Sequence, residues 1–230
     1  MTYRSGFAIL TTNESIIDLE DKVNSKIIGA MLILGPILTM GVWIVFDIDT
    51  SDMTPSDQMA TILAQSKKVE LSSILNVFGV MSMFTGLYFL TRTLKSDNTV
   101  SNTVSEIGGL LLLLSVPVWV VLVGSDISAI EIAKNHGNEF GATIIAASKS
   151  FQMVGIMMVS GLFLLGISLI LLNKYKRIIG TLFVIASVCA FIDMVAESDA
   201  EIIAMIGWMG MFLTTLVTGI LTTLQKEKQA

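Results

Sequence analysis

The chain has 230 residues, 53% hydrophobic and only 14% charged, where a soluble domain carries roughly 25% charged residues. A net charge of −5 with one histidine and one cysteine argues against nucleic-acid binding and excludes an intrachain disulfide, bis-histidine haem ligation and a clustered-cysteine metal site. Most of the sequence has no water to face, and six long apolar stretches predict an all-α, polytopic transmembrane helix bundle.

Residues 1–25 read as a cytoplasmic lead-in. They contain Glu14, Asp18, Glu20 and Asp21, and the apolar patch from Phe7 to Leu10 is too short for the core of a signal peptide. Asn13 is a candidate cap for a short amphipathic helix with Ile16, Ile17, Leu19 and Val23 on one side, lying on the membrane surface or on the bundle. A solvated lead-in fits the same residues.

The six-helix membrane domain is predicted over 26–224. Span one runs from Ile27 to Phe46 with Gly35-Pro36 at its centre, where a kink is expected. Thr54-Pro55-Ser56-Asp57 then opens a short outer helix: Thr54 caps, Pro55 suits the first helical position, and Met59, Ile62 and Leu63 form an apolar side. Span two is Leu71 to Leu90, and Gly79, Ser82 and Gly86 give it a face of small residues. Span three starts at Ile107, contains Pro117, and continues as helix to Lys134. Span four, Ala142 to Leu172, is 31 residues long, about 46 Å of helix. Spans three and four are therefore expected to project past the bilayer as a hairpin turning at His136-Gly137, with Gly137 as the helix C-cap. Span five is Ile178 to Ala196 and span six Ile202 to Leu224; residues 225–230 form a cytoplasmic tail.

Charge sets the orientation. With the N-terminus, the second and fourth loops and the C-terminus on one side, that side holds ten of the fourteen basic residues, while twelve of the nineteen acids fall on the other. The excess of Lys and Arg places both termini in the cytoplasm, and a plasma-membrane, multi-pass location follows. The basic loop from Lys174 to Arg177 is the strongest anchor. The entries Lys26-Ile27-Ile28-Gly29, Glu106-Ile107-Gly108-Gly109 and Arg177-Ile178-Ile179-Gly180 fit either three tandem helical hairpins or a generic way of entering a membrane.

Chemistry has few places to sit. Asp126, Asp193 and Glu197 gather at the outer ends of spans three and five, and Lys149 lies early in span four. A lone lysine there needs to snorkel or pair, so these four residues form a candidate outer ion-pair or entrance cluster. An interfacial salt bridge fixing helix packing is the plainer reading; a cation or proton site is the sharper one. Asp193, Glu197 and Glu201 share a helix face if one helix runs that far. Within the spans Asn76, Thr214 and Thr218 are candidate polar lining groups, with helix packing as the plainer role. Cys189 reads as a small core residue. No nucleophile–base pair, phosphate loop or paired-carboxylate pattern is present, so the chain reads as non-enzymatic, with no catalytic, cofactor or metal residues and no cofactor.

From about Lys26 to Leu224 the order of elements resembles a group of prokaryotic six-helix membrane proteins known as a domain of unknown function. The resemblance rests on Lys26 to Gly29, the outer helical loop before span two, the basic residue at Lys149 and the basic turn from Lys174 to Arg177. In that group an arginine followed by aspartate stands at the early span-four position; here it is Lys149-Ser150, so a paired charge must use an acid from elsewhere. The resemblance implies an architecture and no activity. The leading expectation is a structural or accessory subunit packing with other membrane proteins or with itself in the lipid bilayer; the alternative is a small-solute or ion transporter with an acidic outer vestibule. A dry core would favour the first and a cavity reaching mid-bilayer the second.

Overall fold

The computed structural model describes residues 6–46, 48, 53–94, 96–97, 99–148, 154–196 and 201–224, and the side chains of all of these except 6–24, 154, 196 and 201. The described elements are helices α1 (Gly6–Val45), α2 (Pro55–Ala64), α3 (Ser66–Thr93), α4 (Thr99–His136), α5 (Asn138–Ser148), α6 (Val154–Leu171), α7 (Ile178–Ala196) and α8 (Glu201–Leu224), with a 3-10 turn at Lys174–Arg177. No strand occurs among the described residues. Among the described residues, five segments are long and apolar enough to cross a membrane: Ser25–Val45, Ser66–Thr93, Thr99–His136, Lys174–Val195 and Ile202–Leu224. Large apolar side chains such as Ile44, Phe78, Val121 and Ile202 are exposed on them, as expected of helices whose solvent is lipid.

One sequence expectation is corrected. Asn13 does not begin a helix: α1 runs unbroken for 40 residues from Gly6 through the first span. No glycine or proline interrupts residues 7–28, so nothing local ends the helix between lead-in and span. Of span four the structure describes α5 and α6; residues 149–153 between them lie outside the described residues.

Local signals elsewhere match the elements. Thr54 caps α2 by accepting from the Asp57 N–H at 3.3 Å, with Pro55 opening the helix. Gly137, at φ +99°, reverses the chain between α4 and α5, a backbone conformation that suits glycine. α5 folds back on α4 and α2 around a small core of Met59, Ala129, Ile130 and Ala133. Lys134 joins this cap to α3, lying 2.8 Å from Glu131 and 3.6 Å from Glu70.

The six longer apolar helices close into a ring in the order α1, α3, α4, α6, α7, α8 and back to α1. Each neighbouring pair is antiparallel. In α1 and α3, Gly86 meets Leu32 while Gly79 meets Thr39. In α4 and α6, Ser101 meets Ser168 while Gly108 meets Gly161. In α6 and α7, Gly166 meets Gly180 while Gly155 meets Met194. α8 meets α7 at Gly207 and Ala190, and closes on α1 from Gly29 and Gly219 to Trp43 and Phe212. The small-residue face of span two thus seats α1, where Ser82 Oγ also donates to the Met31 carbonyl at 3.1 Å.

The three entry glycines occupy matching places. Gly29, Gly109 and Gly180 each press on the preceding helix of the ring, at Thr223, Thr91 and Gly166. Three residues further on, Leu32, Leu112 and Phe183 are all fully buried. The half of the bundle nearest the Lys174–Arg177 turn is tightly packed around these residues with Leu87, Leu165 and Leu169.

Candidate functional site

In the half of the bundle nearest α2 and α5 the ring does not close on itself. It encloses a cavity of about 1050 Å³ to which all six ring helices contribute. α3 lines it from Asn76 to Phe84 and α8 from Ala204 to Phe212, about 12 Å of helix each. The floor therefore lies near the middle of α8. Most of the lining is apolar, including Met83, Met158, Met194 and Met205, side chains that adapt to irregular shapes.

The polar groups are few and specific. Asp126 of α4 and Asp193 of α7 both line the cavity, as does Asn76 of α3. All three tryptophans of the chain, Trp43, Trp119 and Trp208, are there too. Trp208 Nε1 donates to Asp193 Oδ2 at 3.0 Å. Trp43 stands edge-on to Phe212 at the floor, with ring centroids 5.2 Å apart. Three buried side-chain polar atoms lack a hydrogen-bond partner among the described residues: Asn76 Oδ1, Trp119 Nε1 and Ser187 Oγ. The first two belong to the cavity lining. A buried polar atom without a partner is costly and uncommon in native folds.

The structure brings together part of the set expected from sequence. Asp126, Asp193 and Asn76 converge on one cavity. Lys149 and Glu197 lie outside the described residues; Ser148, which precedes Lys149, is part of the lining. Glu201 opens α8, which runs antiparallel to α7, so it does not continue the α7 face that carries Asp193. Thr214 and Thr218 are buried but lie outside the lining. Thr218 donates to the Thr214 carbonyl at 2.7 Å, and Thr215 and Thr222 bond back to their own helix in the same way. Such back-bonding is how a hydroxyl is satisfied in an apolar helix. No group of three or more His, Cys, Asp or Glu side chains able to hold a metal occurs among the described residues. Sequence reasoning missed the tryptophans. Their spacing is irregular, and the only signal was that all three fall in spans on the same side of the bilayer midplane.

The opposite half differs in kind. Ser25 donates to the Thr222 carbonyl at 2.9 Å, Tyr175 Oη lies 2.8 Å from Thr222 Oγ1, and Ser105 donates to the Thr91 carbonyl at 3.2 Å. These bonds join α1 to α8, the basic turn to α8, and α3 to α4. In comparisons with known proteins, no family model, no curated protein and no solved structure matches the chain.

Proposed function

We propose that this chain is a multi-pass membrane protein that binds a small solute in the cavity, as a transporter does in a conformation open toward one side. The observation that carries the reading is the cavity itself, about 1050 Å³ and lined from every ring helix. Its floor near mid-bundle and its few convergent polar groups are what ligand sites in helical bundles have in common. An accessory subunit has no need of such a space, and the exposed apolar faces that would serve it are equally accounted for by lipid.

The ring supports six crossings. α6 has 18 residues, about 27 Å of helix, and it sits between α4 and α7 as the other ring members sit between theirs. An even number of crossings puts both termini on one side. The Lys174–Arg177 turn, at the packed end, supports that side as the cytoplasm; the cavity and α2 then face outward across the plasma membrane.

Native mass spectrometry of the detergent-extracted protein tests the reading. The parent protein should release a bound small molecule, and Ala204→Phe, which adds a ring to the cavity lining, should release much less. A co-purifying protein subunit with an empty, ligand-insensitive bundle would instead favour the accessory reading.

A further inference from the structure

The geometry points to an amphipathic organic cation as the occupant of the cavity, held by Asp126 and Asp193 among the three tryptophans. The inference rests on the solute-binding reading above and narrows it to a class of ligand.

Charge is the first argument. Asp126 and Asp193 line one largely apolar space, and neither takes part in a salt bridge with another described residue. The Trp208 N–H on Asp193 Oδ2, at 3.0 Å, orients that carboxylate without neutralising it. Ionised carboxylates in poorly solvated surroundings are costly unless a cation joins them. An anionic ligand would add to the repulsion, and a neutral one would leave at least one of the two charges uncompensated, since no described residue pairs with either and Lys149 carries a single charge.

The aromatic rings are the second argument. Tryptophan is the side chain whose face best attracts a cation, and aromatic cages are the usual means of holding quaternary ammonium groups. All three tryptophans of the chain border this cavity and none lies elsewhere.

Size and residual polarity then narrow the class. A space of about 1050 Å³ is far larger than a metal or ammonium ion requires and is in the range of sites for drug-sized ligands. The adaptable methionine lining suits an apolar body. Asn76 Oδ1 offers an acceptor and Trp119 Nε1 a donor, both without a partner among the described residues. A ligand with a cationic centre, an apolar body and a hydrogen-bonding group would engage every one of these features.

The test uses the purified full-length chain in an uncharged maltoside detergent, with radiolabelled tetraphenylphosphonium as probe and triphenylphosphine oxide as a neutral relative of similar shape. Tetraphenylphosphonium should bind saturably, one per chain, and quench tryptophan emission. Affinity should fall by about tenfold or more in the Asp126→Asn/Asp193→Asn double variant, as loss of a desolvated charge contact implies. Triphenylphosphine oxide should compete poorly. Equal binding by parent and double variant would overturn the inference. So would equal competition by the neutral compound, which would leave the cavity as a solute site of a different preference. If neither compound binds and native mass spectrometry finds no ligand, the solute-binding reading falls with it. Should the double variant fail to fold, the comparison of charged and neutral probes on the parent chain still decides.

Discussion

Gly207 is the residue at which a single methyl group should disturb both the fold and the cavity. An added Cβ would lie 2.5 Å from the Ala190 nitrogen and 2.7 Å from its Cα, against 3.4 Å for ordinary contact. Both atoms are backbone, so no side chain can swing aside, and α7 and α8 must separate by about 0.9 Å. Overpacking of this kind costs roughly 1–3 kcal/mol, while alanine in place of glycine in a helix returns roughly 0.5–1 kcal/mol. The net expectation for Gly207→Ala is a loss of about 1–2 kcal/mol. The same shift acts on the site. Trp208 follows Gly207 in sequence, Asp193 stands three residues after Ala190, and their hydrogen bond of 3.0 Å would stretch beyond the range in which it counts as one. Gly41→Ala is the control, because nothing lies within 4 Å of its added Cβ. Thermal unfolding in one detergent, read by size-exclusion chromatography, should place Gly207→Ala below the parent and Gly41→Ala at or above it. The tryptophan emission spectrum should change in Gly207→Ala alone. If Gly207→Ala melts with Gly41→Ala and its emission matches the parent, the close crossing of α7 and α8 is not what positions Trp208.

Three further outcomes are expected. In a Cys189→Ser background, a cysteine placed by Lys176→Cys should resist an impermeant thiol reagent in intact cells and react after lysis; labelling from outside would reverse the proposed orientation. Met59 is fully buried between α2, α4 and α5, so Met59→Ala should cost about 2–5 kcal/mol, confined to the cap; hydrogen exchange should accelerate in α2 and α5 and leave α7 unchanged. If Lys149 pairs with the acids of the cavity end, Lys149→Met should be tolerated and Lys149→Glu should lower the melting temperature; a Lys149→Glu protein as stable as the parent would remove that pairing.

Much of the fold could be read from local signals, and the reasons are physical. α7 begins and ends where the apolar run from Ile178 to Ala196 does, because a span's ends are set by where its residues stop tolerating lipid. α2 was legible from Thr54 and Pro55, and the hairpin from Gly137, since caps and left-handed turns depend on a few adjacent atoms. The small-residue faces were legible as faces, but their partners were not. Gly79 and Gly86 declare a close approach without saying that α1 makes it. The cavity is harder still. Asp126 and Asp193 stand out in sequence as acids at the ends of spans, yet Trp208 becomes part of that site only through the register that Gly207 and Ala190 impose. Thr214 and Thr218 show the converse. Helix packing is the plainer sequence reading of both and polar lining the sharper one; both are buried away from the cavity, and the Thr218 hydroxyl donates to the Thr214 carbonyl.

The two halves of the ring divide the work that solute movement would require. Fourteen residues after each entry glycine, Trp43, Val123 and Met194 all reach the cavity lining; three residues after the same glycines, Leu32, Leu112 and Phe183 are sealed in the packed half. One repeated helix pattern thus closes one end and leaves the other open. The closed end is held by small-residue packing together with hydrogen bonds between helices, from Ser25 and Tyr175 to Thr222 and from Ser105 to Thr91. In lipid such bonds are individually modest, averaging about 0.6 kcal/mol in measured cases. The closure of α1 on α8 therefore rests mainly on close packing, with Gly29 against Thr223 and Gly219 against Leu32, while the hydrogen bonds of Thr222 fix the register.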